Sequence, residues 1–433
     1  MVLTFLSSDF KSTPRVETFL IWRTFRRKSR LRKSAQFRKI ISYTSHMRVL
    51  LVGGGATAAA CARNMLNRVP AAATYEIHLA DAAPALGGRL ETNSLAADTG
   101  AQYLTKSDRA DHALYDALKA DGTLVRLDPS NIRGSRAADM GAGPHVAPAG
   151  LASVAHAMLG SGGVSVLHST RVARLDLDDD SSRWVVQTAD GERLPRVYDA
   201  VVLTPPVPET LSLLAAGPHT AARLQAAGIE PQLASVEYSR RFALVLGFRR
   251  DDTAAVEAAF GDHAIRYVSR DEDDRLVYVA HNSAKSGPAR GNPPTIVAHS
   301  SVPYAVAPGR VPAAGTIDAS AASRAEAELL ESLRTLLPGL PEPSSTSLRT
   351  WYFSQVREPL KSIPHQRGGC VVLPAAQRTA GDGGAPGSSA PALVLAGDAF
   401  GPGGSRFDSC VTSGADAALA VAQALSSRIV RRI

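Results

Sequence analysis

Three consecutive glycines carry the first chemical signal in this 433-residue chain. Gly53, Gly54 and Gly55 follow the apolar run Arg48-Val49-Leu50-Leu51-Val52 and precede a small-residue stretch that opens Ala56-Thr57-Ala58. Gly53 permits a tight turn out of a strand. Gly55, lacking a Cβ, lets the backbone approach a pyrophosphate closely. Ala58 stands where a third glycine is usual, and Ala still allows close helix–strand packing. A helix opening at Ala56 directs its free N–H groups and the positive end of its dipole at the phosphates. A second strand over 76–80 ends at Asp81, 26 residues after Gly55, a carboxylate placed to accept from ribose hydroxyls. Gly87-Gly88-Arg89 follow, and Arg89 is a charged fork suited to a pyrophosphate. Strand, turn, helix, strand and terminal acid together predict a dinucleotide site.

A second signature comes late. The buried-strand pattern Ala392-Leu393-Val394-Leu395-Ala396 runs into Gly397-Asp398, and a final helix is expected over about 409–426, with Asp408 and Ser409 as capping residues. Between the two signatures lie Asp98-Thr99-Gly100-Ala101-Gln102-Tyr103, Thr204-Pro205-Pro206-Val207-Pro208-Glu209, Ser354-Gln355-Val356 and Phe407-Asp408-Ser409-Cys410-Val411-Thr412-Ser413. With these stretches the chain resembles the renalase family, in the amine-oxidase-like class of FAD flavoproteins, over nearly everything after Met47.

The resemblance implies an α/β protein: a Rossmann-type FAD-binding domain with a second α+β substrate domain built on a mixed or antiparallel sheet. It implies noncovalent FAD. Gly53, Gly55, Ala56, Thr57, Asp81 and Arg89 are then expected at its ADP half, with the backbone of Val172 at the adenine. Gln102, Tyr103, Phe407 and Asp408 are expected about the flavin, and Asp398 on the ribityl chain. It implies an oxidoreductase acting on isomeric dihydronicotinamides, the forms of NAD(P)H reduced at the 2 or 6 position. Hydride passes to flavin N5, NAD(P)+ is the product, and oxygen reoxidises the flavin to give hydrogen peroxide. Such a donor needs placement more than acid or base help. Thr204, Tyr238, Arg241, Trp351 and Gln355 are the expected substrate-side residues, with Trp351 or Tyr238 stacking on the nicotinamide. The expected partners are thus a small dinucleotide substrate and O2. Tyr352-Phe353 stand where polar or basic side chains are expected, and could build an aromatic cage for an amine. A flavin amine oxidase is therefore the alternative enzyme, and a noncatalytic FAD-containing binding or signalling protein the alternative of another class.

The elements that must position these residues follow from periodicity. Helices are expected over 110–120, 151–159, 209–228 and 321–337, the last stopped by Pro338-Gly339. Residues 130–144 read as loop. Strands are expected over 164–168 and 171–177 as a pair, over 183–188 closing a hairpin across an acidic turn, and over 199–204. Those over 238–248, 276–281 and 295–300 would form a second sheet. The Gly/Ser/Ala-rich stretch 376–390 reads as an inserted surface loop, and 399–406 as a somewhat long connection over the flavin. Domain boundaries follow: 47–105, 145–206 and 345–430 for the FAD-binding domain, 106–144 and 207–344 for the substrate domain.

Charge is unevenly spread. Residues 1–46 hold 11 Lys/Arg and 2 Asp/Glu, whereas the remainder holds 37 and 38. The folded part is near neutral, so the overall basic balance gives no reason to expect nucleic-acid binding. The basic extension resembles an organellar transit peptide, implying mitochondrion or another organelle. A start at Met47 instead implies a cytoplasmic protein. Cys61, Cys370 and Cys410 form no disulfide framework, the scattered histidines suggest no metal site, and no apolar run is long enough for a transmembrane helix.

Overall fold

The structure is a computed structural model; it describes residues 47–68, 75–134, 143–178, 181–285, 292–375 and 390–432. The basic extension 1–46 and nearly all of the expected insertion, 376–389, lie outside the described residues.

Met47–Val52 is an unbroken apolar run because both its faces are covered. Val49 and Leu51 enter one core, Leu50 and Val52 another. It is the middle of five parallel strands, ordered Ala392–Ala396, Ala200–Leu203, Met47–Val52, Tyr75–Ala80 and Val164–Leu167. Two short antiparallel strands, Cys370–Val372 and Gln366–Arg367, extend the far edge. Register aligns the carboxyl ends: Val52 sits opposite both Ala80 and Leu203, and Leu203 opposite Leu395. Gly53, Asp81 and Thr204 therefore leave the sheet side by side, and Gly397 emerges beyond them. A first strand flanked on both sides makes this edge a topological switch point, where open parallel sheets bind ligands.

One face is covered by the helices Ala56–Arg68, Ala152–Leu159 and Phe407–Arg432. The first and last pack very closely at Gly414, where an added Cβ would lie 2.3 Å from the Thr57 carbonyl oxygen and 2.8 Å from Ala60 Cβ. The opposite face carries the hairpin Val172–Leu177/Trp184–Thr188 and three helices, Val207–Ala216, Pro218–Ala227 and Glu230–Ala234.

A second sheet has six strands in the order Ser345–Val356, Tyr238–Gly247, Thr295–Ser300, Leu276–His281, Ile265–Tyr267 and Ile132–Arg133. All pairs are antiparallel except the last, so it is mixed. Helix Ala319–Leu336 backs it, capped by Asp318 accepting from the Ser320 and Ala321 amides.

Several elements differ from the sequence expectation. Val164–Leu167 does not pair with Val172–Leu177; it joins the large sheet beside Tyr75–Ala80. The single helix expected over 209–228 is divided at Gly217-Pro218, because Pro218 cannot donate to the preceding turn and opens a new helix instead. Ile132–Arg133, expected as loop, is the edge strand of the second sheet. Ser345–Val356 pairs into that sheet too, and the helices after Val207 pack on a core of the large sheet. The C-terminal helix opens at Phe407, which puts Asp408 and Ser409 inside its first turn rather than at the cap.

Candidate active site

The carboxyl edge of the large sheet and one face of the second sheet wall a cavity of about 1330 Å³, above the roughly 300–1,000 Å³ of an ordinary small-molecule site. At its sheet end each of the three glycines has a distinct part. Gly53 has a φ of +97°, a left-handed-region value that favours glycine. A Cβ on Gly54 would stand 2.1 Å from Asp81 Oδ2 and 2.5 Å from Leu86 Cδ2, so any side chain here forces those two to move. A Cβ on Gly55 would meet nothing nearer than 3.8 Å, because its backbone faces open space. That opening, with the helix start at Ala56 and Thr57 beside it, fits a pyrophosphate at a helix N-terminus. Asp81, nearly buried, accepts from the Ala83 amide at 2.9 Å and lines the same end. Burial raises its carboxyl pKa, against the pull of backbone hydrogen bonds. Val172 lies on this wall, together with Glu209, whose carboxyl is also raised by burial.

Arg89 crosses from this end to the late signature. Its guanidinium lies 2.5 Å from Asp398 Oδ2 and 3.4 Å from Ser405 Oγ. Ser405 also bonds Asp398 and accepts from the Val356 amide at 2.7 Å. Burial pushes the Asp398 carboxyl up, but the Arg89 charge and the Arg89 and Ser405 hydrogen bonds outweigh it and hold it below the usual range. The two distant glycine-bearing segments thus meet through one ion pair. Asp398 reaches the cavity by way of Arg89, which lines it.

The far end is built by Gln102, Tyr103, Arg241, Trp351, Gln355 and Phe407. Trp351 and Arg241 are cross-strand partners in the second sheet. Trp351 Nε1 donates to the Thr99 carbonyl at 2.9 Å, and the Arg349 guanidinium covers its ring at 4.7 Å. Arg241 donates to the Ser300 carbonyl at 3.0 Å. Tyr103 and Tyr267 touch through their hydroxyls. Phe407 sets its ring edge-on to Tyr115.

Three expected residues take other places. Tyr238 is off the wall: its hydroxyl accepts from the Val207 amide at 3.2 Å and its ring meets Phe353 edge-on. Asp408 is buried, with its carboxylate accepting from the Ser107 amide and hydroxyl and from Tyr115, so it ties the helix start to the 107–115 segment. Thr204 does line the cavity, but its hydroxyl donates to the Val52 carbonyl at 2.8 Å and so buttresses the glycine turn. Tyr352 and Phe353 both line the cavity. Tyr352 packs into the second sheet's core, with its hydroxyl accepting from the Ile317 amide at 2.9 Å.

Sequence reasoning missed His299, Lys285 and Ser405. His299 lines the cavity, and its Nε2 lies 3.1 Å from the Thr99 carbonyl. Burial and the nearby Arg241 lower its pKa to about 3, against the Thr99 hydrogen bond, so the imidazole is neutral at ordinary pH. Lys285 follows Asn282-Ser283-Ala284, His299 precedes Ser300 and Ser405 precedes Arg406, with no spacing that marks any of the three.

No protein-family model matches the chain. It is 31% identical to Mus musculus renalase over 332 residues, 74% of this chain and 88% of that protein. Among solved structures it is similar to an Exiguobacterium sp. 255-15 protein assigned as a protoporphyrinogen oxidase, with a TM-score of 0.54 and 14% identity over 88% of this chain and 99% of that one. It is also similar to a cofactor-site variant of putrescine oxidase, with a TM-score of 0.51 and 12% identity over 87% and 99% of the two chains. At such identities the solved structures show the fold, while the mouse relative shows the family. The chain belongs to the renalase family of FAD-dependent oxidoreductases.

Proposed function

We propose that the protein oxidises isomeric dihydronicotinamides, forms of NAD(P)H reduced at the 2 or 6 position, to NAD(P)+, with O2 as the electron acceptor and hydrogen peroxide as the second product. Bound FAD supplies the two-electron acceptor. The chain's own residues supply placement and electrostatics. Gly53–Gly55, the helix start at Ala56, Asp81 and Arg89 would hold the ADP half of the cofactor. Trp351 offers a ring face for a planar nicotinamide, with Gln102 and Arg241 beside it.

The observation that carries this reading is the charge of the wall. The described acidic residues on it are Asp81, Glu91 and Glu209. Asp81 and Glu209 belong to the adenosine end. Glu91 is occupied by Arg349 at 2.9 Å and by the Thr99 hydroxyl at 2.8 Å. The far end therefore offers an ammonium ion no open carboxylate, while the Arg241 guanidinium on the same wall suits a phosphate-bearing substrate. A hydride donor of this type needs no general base, and His299, its pKa lowered to about 3 by burial and Arg241, is a weak one.

The test is anaerobic mixing of FAD-loaded protein with each candidate donor. The flavin band bleaches within seconds on adding 2- or 6-dihydro-NAD(P), and persists with putrescine or benzylamine. Bleaching by an amine and not by the dihydronicotinamides would make the protein an amine oxidase. A flavin that no donor reduces would make it a noncatalytic FAD protein.

A further inference from the structure

Behind the cavity wall lies a lysine that the chemistry above does not use. Lys285 ends the short helix Asn282–Lys285, directly after strand Leu276–His281 of the second sheet. Its side chain is 0% exposed. Its ammonium lies 3.1 Å from Asp98 Oδ2 and 3.2 Å from Gln102 Oε1. Asp98 is fully engaged, since its Oδ1 also accepts from the Leu151 amide and the Thr92 hydroxyl, both at 2.8 Å. Asn282, at the start of the same helix, grips the same segment: its Nδ2 donates to the Ala96 carbonyl at 2.9 Å and its Oδ1 accepts from the Asp98 amide at 3.3 Å.

An ammonium has three donors and no acceptor. It can donate only to the oxygen side of the Gln102 amide, so that amide cannot turn over. Its nitrogen side then faces the carbonyls of Asp98 and Gly100. Gln102 is on the cavity wall and Lys285 is one hydrogen bond behind it. A buried ion pair is a weak source of net stability compared with apolar residues of the same volume, and is better understood as fixing one arrangement among several. Here the arrangement fixed is that of a wall residue.

We propose that Lys285 is a positioning residue that locks the Gln102 amide in one orientation and thereby sets how the flavin is seated. The proposal rests on the reading of this cavity as the FAD site. Its test is a double-mutant cycle on the full chain, using Lys285→Met, Gln102→Leu and the two together. FAD affinity and the position of the flavin absorbance band are read beside the thermal midpoint. Lys285→Met weakens FAD binding at least tenfold and shifts the band. In the Gln102→Leu background the same substitution changes neither by more than about twofold, because its direct hydrogen bond to the cavity wall is gone. If Lys285→Met alone does not fold, the cycle is run with Asp98→Asn/Lys285→Met, which removes both charges together. A lower thermal midpoint with unchanged FAD affinity and band would overturn the proposal, as would effects of Lys285 and Gln102 that simply add. Failure of the unmodified protein to take up FAD would overturn the flavin site itself, and is seen before any variant is made.

Discussion

At the scale of single residues, the glycine turn and the Arg89–Asp398 pair make the sharpest demands. Gly54→Ala puts a methyl group within 2.1 Å of Asp81 Oδ2 and 2.5 Å of Leu86. Both the Asp81 carboxylate and the Leu86 side chain must move to admit it. This variant loses about 1–3 kcal/mol of stability and most of its FAD, as equilibrium unfolding and flavin release will report. Gly54 shows both the reach and the limit of sequence reasoning. The spacing of Gly53, Gly55 and Asp81 is a written pattern, whereas the contact that requires Gly54 is made 27 residues away and has no local signature.

The Asp398 carboxyl yields a signed pH prediction. Its folded pKa lies below the ordinary value of about 3.9. A depressed carboxyl contributes stability that is fully present above the unfolded pKa and is lost as pH falls through the folded one. Asp398→Asn therefore destabilises the cofactor-free protein by about 1.5–3 kcal/mol at pH 7. The gap from the parent closes as the pH is lowered past about 3.9, in melts followed by circular dichroism. Asp81 has the opposite sign: burial raises its carboxyl, so it takes up a proton above the ordinary range. Acid release of FAD should accordingly begin above about pH 4, and Asp81→Asn should remove that early phase while weakening binding at pH 7. A release curve unaltered by Asp81→Asn would mean that its carboxylate does not hold the ribose.

At the scale of elements, the site depends on how closely the helix after the glycine turn meets the C-terminal helix. Gly414 lets the two backbones touch, and the contact sets both helix starts at the cavity. Gly414→Ala must push them apart. It costs about 1–3 kcal/mol, measured by denaturant titration, and weakens FAD binding although Gly414 is not on the cavity wall. What could be read at this scale follows burial. Strands covered on both faces, such as Met47–Val52 and Ala392–Ala396, announce themselves as apolar runs. Ser345–Val356 does not, because it is an edge strand whose side chains are almost all partly or fully exposed, yet it carries Trp351 and Gln355 to the cavity. The parallel partner of Tyr75–Ala80 was equally hidden: Val164–Leu167 and Val172–Leu177 are neighbours in sequence, and only the sheet edge decides which of them extends it.

At the scale of the molecule, two sheets contribute opposite walls of one cavity, and both lie within the unit His46–Ile433. A chain begun at Met47 loses the excess of positive charge and keeps every core residue among the described ones. It should match the full chain in thermal midpoint within about 2 °C and in FAD content, by calorimetry and absorbance. A large loss in either would show that the basic extension supports the fold. Among the described residues no helix is long and apolar enough to cross a membrane.

The account depends on a single flavin lying along that cavity, its adenosine at the edge of the large sheet and its ring between Gln102 and Trp351. The most direct measurement is the electron density of a crystal grown with FAD. The account predicts the ribose within hydrogen-bond distance of Asp81, the pyrophosphate over Gly55 and Arg89, and the isoalloxazine beside Gln102 and Trp351. A cofactor lying in the reverse direction, or a colourless crystal with density for FAD nowhere in the cavity, would contradict it.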